Sequence, residues 1–71
     1  MKSTSYTATT TTVTYALMAQ RALAENGINA RIVRPPAEAA ARGCAYGIEF
    51  DLRERRRVKE ILDRAGIRAT V

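Results

Sequence analysis

A short pattern occurs twice in this chain, and it constrains the fold more than any other feature. "RALAENGINARIV" (residues 21–33) is echoed by "EILDRAGIRATV" (residues 60–71). At one common offset Leu23 aligns with Leu62, Gly27 with Gly66, Ile28 with Ile67 and Ala30 with Ala69. Each copy predicts a helix that glycine stops and a strand that follows at once. Glycine suits the stop because it enters the left-handed region without a Cβ clash. Extending the offset backwards sets "TATTT" (residues 7–11) against "YGIEF" (residues 46–50), so each half reads as strand–helix–strand.

The helix starts agree. Asp51-Leu52-Arg53-Glu54 has the spacing of a capping box, and Thr12 stands at the equivalent N-cap of the first copy. Val58, Ile61, Leu62 and Ala65 make one apolar stripe, matched by Ala19, Ala22, Leu23 and Asn26. Two such halves predict an α+β fold, the ferredoxin-like βαββαβ two-layer sandwich: an antiparallel four-stranded sheet with two helices on one face. Strands are expected near 4–11, 29–34, 45–50 and 67–71, and helices near 13–26 and 52–65. Residues 1–71 then form a single domain with pseudo-repeat halves at about 3–34 and 44–71, joined by the loop 35–43. The chain's 71 residues are near the lower limit for a self-sufficient core. An alanine-rich core of this size is compatible with a homodimer.

"RGCAYGIEF" (residues 42–50) holds the one cysteine and has two readings. A basic residue and glycine followed by alternating aromatics resembles an RNA-binding strand. Such a strand, however, needs its aromatics on the bare face of the sheet, where bases stack. Cys44, Tyr46, Ile48 and Phe50 share the apolar parity, which a two-layer sandwich turns toward its helices. "SYTATTTT" supplies no second aromatic signature. Nucleic acid is therefore not an expected partner.

The second reading is a thiol presented at the sheet's edge. Pro35 and Pro36 suit the start of a short helix and Gly43 its end. This connection shares one end of the sheet with Thr10, Thr11 and Thr12, where the first strand passes into the first helix. Helix amides, threonine hydroxyls and the nearby Arg34 and Arg42 would stabilise a Cys44 thiolate. The plainer alternative is a small apolar cysteine filling a gap at the core's edge. Sequence physics leaves both open.

Composition excludes several chemistries. With no histidine and one cysteine, the usual zinc and iron–sulfur ligand sets and the Ser-His and Cys-His nucleophile pairs are absent. No cofactor or metal is expected. "MKSTSYTATTTT" lacks the apolar stretch of a secretion signal, and no run approaches membrane-spanning length. A reducing, cytoplasmic location is the expectation. The net charge of +5 favours acidic partners or soluble anions.

The order of these elements resembles the selenium/sulfur carrier protein-like family of small bacterial and archaeal proteins. Its features here are a threonine-rich first strand, a helix ending in Glu25-Asn26-Gly27-Ile28, and a strand into Pro35-Pro36. A loop with Cys44 follows, and then a helix, Gly66-Ile67 and a strand. The chain departs from the family pattern with Pro36-Ala37, Ala39-Ala40-Ala41 and Cys44-Ala45, where Pro-Arg, serines and Cys-Gly are frequent. The resemblance implies a carrier or accessory protein, not a catalyst. Cys44 would hold sulfur or selenium, with Thr10, Thr11, Thr12, Arg34, Arg42 and Gly43 around it and a sulfur or selenium donor or acceptor protein as partner. The alternative is a non-catalytic interaction or regulatory module in which Cys44 is structural.

"RERRRVKE" (residues 53–60) is the remaining signal. On a helix Val58 faces the core, while Arg53, Arg56, Arg57 and Lys59 fan outward. The plain reading is a solvated face, with Glu60 paired to Arg64 at i+4. The other is a docking surface for an acidic partner.

Overall fold

The computed structural model describes residues 4–71. The expected start of the first half at residue 3 lies outside them, as do the first three residues of the leader reading. The elements run β1 (Ser5–Thr10), α1 (Val13–Glu25), β2 (Arg31–Val33), α2 (Ala37–Ala41), β3 (Tyr46–Asp51), a 3₁₀ turn (Leu52–Glu54) and α3 (Arg55–Ala65). The fold is α+β. Its antiparallel sheet has three strands in the order β1-β3-β2.

The repeated glycines do the same work in both halves. Gly27 and Gly66 take φ of 79° and 72°. After each, the isoleucine amide donates back across the turn: Ile28 to the Leu23 carbonyl and Ile67 to the Leu62 carbonyl, both at 2.9 Å. This is the Schellman stop, and it delivers Ile28 and Ile67 into the core. There they meet Leu23, Ile48, Leu62 and Val58, the largest fully buried side chains. Each of these contributes roughly 2 kcal/mol of apolar burial. Of the expected stripes, Val58, Ile61, Leu62, Ala19 and Leu23 are buried, Ala22 is half-buried, and Ala65 and Asn26 are exposed at the helix ends.

The strands correct the backward extension of the repeat. Ala8 pairs with Ile48 and Tyr6 with Phe50, and directly opposed residues share a face. Tyr6, Ala8 and Thr10 therefore lie on the helix side with Phe50, Ile48 and Tyr46. The strands thus correspond with a slip of one residue relative to the helices. Thr11, a bend between β1 and the N-cap Thr12, is the extra residue; Asp51 is both the last residue of β3 and the cap of the turn that follows. A one-residue slip exchanges faces in a strand.

The aromatic parity of β3 does face the helices. Ile48 and Phe50 are buried in the core, and Phe50 meets Tyr6 with ring centroids 5.7 Å apart. Tyr46 stays half-buried outside that cluster. The opposite face carries Thr7, Thr9, Arg31, Val33, Gly47 and Glu49, with Arg31 ion-paired to Glu49.

The expected fourth strand near 67–71 is reduced to one bridge, Thr9 with Thr70, whose amides and carbonyls bond at 3.0 and 2.8 Å. The next rung would join Thr11 to Arg68. Instead β1 bends away at Thr11, and the Thr10 hydroxyl donates to the Arg68 carbonyl at 2.9 Å. A side chain has replaced the ladder. The capping box is also half-formed: Asp51 accepts from the Arg53 amide, while Glu54 pairs forward with Arg57.

Candidate functional site

Cys44 is positioned by the closure of α2. Pro36 opens that helix with φ −59°, and Gly43 ends it at φ +94°. The Ala39 carbonyl then accepts from both the Arg42 and the Cys44 amides at 3.0 Å. On the other side, the Ala45 amide donates to the Thr10 carbonyl at 3.1 Å. The cysteine backbone is thus held between a helix end and the end of β1.

Its side chain is half-buried and free of any disulfide. It lines a depression of about 140 Å³ with Thr9, Thr10, Thr11 and the segment Arg68–Thr70. The threonines differ in what they offer. The Thr10 proton is committed to the Arg68 carbonyl. Thr12 accepts from the Tyr15 amide at 3.1 Å as the helix cap and does not line the depression. Thr11 is exposed at the rim.

Of the neighbouring cations, Arg34 and Arg42 are exposed and lie outside the depression's wall, and so does Gly43. Arg68 is in the wall. Sequence reasoning missed it, although the expected sandwich places its fourth strand beside its first. That arrangement alone brings residues 68–70 to residues 9–11.

The basic residues of "RERRRVKE" are elsewhere. Thr10 and Tyr46 pair at one end of the β1–β3 ladder, Ser5 and Asp51 at the other. The rise of β1 separates the two ends by roughly 17 Å. Cys44 belongs to the first end. Arg53, which follows Asp51, belongs to the second, as do Arg56 and Arg57 at the start of α3. Arg53 forks onto Asp51 through Nε at 3.2 Å and Nη2 at 2.8 Å. These hydrogen bonds, aided by the Arg53 amide, hold the Asp51 carboxyl at about 2, below its ordinary 3.8, and raise Arg53 in turn. Arg57 reaches Glu54 at 3.3 Å and the Asn26 carbonyl at 3.1 Å. Lys59 pairs with Asp63 at 3.1 Å, and this replaces the expected Glu60–Arg64 pair as the i,i+4 contact of α3. Arg56 has no ion pair among the described residues.

Cys44 is thus a half-buried cysteine in a depression walled largely by threonines. Among the described residues, no helix is long and apolar enough to cross a membrane, and no cluster of ligating side chains could hold a metal ion. No curated protein and no solved structure gives a significant match. A family model described as "Putative Se/S carrier protein-like" matches residues 5–70, nearly the whole chain, and places the protein in the Se/S carrier-like family.

Proposed function

We propose that the protein carries sulfur or selenium on Cys44 between a donor and an acceptor protein. The observation that carries this reading is the placement of the chain's one cysteine. It is pinned by backbone bonds on both sides, half-exposed, and set in a depression beside Thr11 and Arg68. Family membership is consistent with it. The bridge between Thr9 and Thr70 supports the finer, ferredoxin-like reading of the fold, with residues 67–71 in the place of a fourth strand on the free edge of β1.

The chemistry needs only a reachable thiolate. Its sulfur attacks the terminal sulfur of a donor persulfide. A new S–S bond forms on Cys44 as the donor's S–S bond breaks, and the electron pair leaves with the donor thiolate. Attack by an acceptor thiolate on the terminal sulfur repeats the exchange and restores Cys44. Thr11 and Arg68 at the wall would hold the terminal sulfur anion. A reducing, cytoplasmic setting would keep Cys44 a free thiol, available for this exchange.

The test is intact mass after incubation with a cysteine desulfurase and cysteine, with Cys44→Ser as the blank. A gain of one sulfur atom on the native protein, absent from the blank and removed by a thiol reductant, is expected. If alkylation of Cys44 requires denaturant, or no sulfur is gained, Cys44 is a packing residue and the carrier reading fails.

A further inference from the structure

A broad groove lies beside the 3₁₀ turn and the start of α3. Its volume is about 700 Å³, and it is lined by Leu52, Val71 and five cations, Arg55, Arg56 and Lys59 among them, three of the five being paired with acids beside the groove. Leu52 is 48% exposed there although it is a large apolar side chain. We propose that this groove docks an acidic segment of a partner protein that carries an aliphatic side chain between its carboxylates.

Three observations set this occupant apart from others. Three of the five cations already hold a carboxylate each: Arg53 holds Asp51, Arg57 holds Glu54 and Lys59 holds Asp63. Arg56 and Arg55 have no ion pair among the described residues, and Arg55 is stacked over the Tyr6 ring at 4.8 Å. Stacking orients a guanidinium fork that matches a carboxylate. Second, Leu52 and Val71 give an apolar floor for which a sugar–phosphate backbone has no use. Third, Asp51, Glu54 and Asp63 stand among the cations and would repel a continuous rail of phosphates. Discrete carboxylates can enter between them. Single-stranded nucleic acid also wants exposed aromatic platforms, and none lines this groove.

Docking here has a geometric consequence. The arginines stand at the ladder end away from Cys44, although Val71 of the groove adjoins Thr70 of the depression, so a segment held on the arginines leaves the thiol uncovered. The binding itself does not depend on what Cys44 does.

The test uses the full chain and the fluorescein-labelled peptide Glu-Asp-Leu-Glu-Asp, followed by fluorescence anisotropy at low salt. Saturable binding is expected. The double variant Arg55→Gln/Arg56→Gln should bind about tenfold more weakly while keeping the wild-type circular dichroism spectrum at the assay temperature, and Arg56→Gln alone, which leaves the Tyr6 stack intact, should also weaken binding. The peptide with serine in place of leucine should also bind more weakly. Cys44→Ser should bind as the wild type does, which separates this proposal from the carrier chemistry. Equal binding of the serine peptide would mean diffuse charge attraction and overturn the proposal. So would unchanged binding by the double variant, the absence of saturation, or tighter binding of an oligo-dT strand of equal charge.

Discussion

The two halves of the repeat end their helices with the same turn and begin them differently. At the C-termini the same Leu–Gly–Ile triad makes the same turn, with the same 2.9 Å bond from isoleucine to leucine. At the N-termini, α1 starts directly on the Thr12 cap. α3 is preceded by a 3₁₀ turn that Asp51 caps and Arg53 braces. The outer faces differ further. α1 exposes Val13, Leu17 and Met18, whereas α3 exposes arginine and lysine. A stop signal is local: it needs one residue with φ > 0 and one apolar residue to follow, so it survives in both copies. A helix face is answerable to whatever lies outside it, and the two faces differ.

If the stops and their leucines are equivalent, deletion should cost both halves alike. Leu23→Ala and Leu62→Ala remove side chains that are 0% and 1% exposed. Each should lower stability by about 2–5 kcal/mol in urea denaturation. A cost confined to one variant would break the equivalence.

The strands should show the asymmetry. Gly47 aligns with Ala8 by the sequence offset, yet an alanine at 47 meets Thr7 Cγ2 at 2.9 Å, Val33 Cγ2 at 3.1 Å and the Val33 carbonyl at 3.3 Å. Gly47→Ala should cost about 1–3 kcal/mol from overpacking. A neutral result would mean that Thr7 and Val33 give way to the added methyl, so that the strand asymmetry places no steric demand on residue 47.

Gly27→Ala and Gly66→Ala test the stops themselves. A Cβ at either position meets nothing within 4 Å, so only the positive φ opposes it. Each should cost about 1–2 kcal/mol, the left-handed penalty of an L-residue. The two values should agree closely.

The smallest effect concerns the α3 start, which α1 has no counterpart for. The Asp51 carboxyl is held at about 2 against an ordinary 3.8. A depressed pKa contributes stability that is complete above the unfolded value and is lost as pH falls through the folded one. Stability should therefore decline slightly between about pH 4 and pH 2, and Asp51→Asn should flatten that limb. An unchanged acid limb in the variant would show that the Arg53 fork does not stabilise the turn.

The sequence by itself determined the helix stops, the short helix between Pro36 and Gly43, the β3 parity that buries Ile48 and Phe50, and the antiparallel α+β character. All of these rest on interactions within a few residues or on a period that the chain displays openly. It also singled out Cys44, since no other residue of that type exists. Tertiary structure alone decided the slip between strands and helices, because a single bend at Thr11 changes parity without disturbing any local signal. It decided that Arg68, not Arg34 or Arg42, walls the cysteine depression, since that contact spans most of the chain and depends on which strand edge the last residues reach. It also placed the arginine run a sheet's length from the thiol. Residues 44 and 53 are close in the chain, but an extended strand lies between them and carries them to opposite poles.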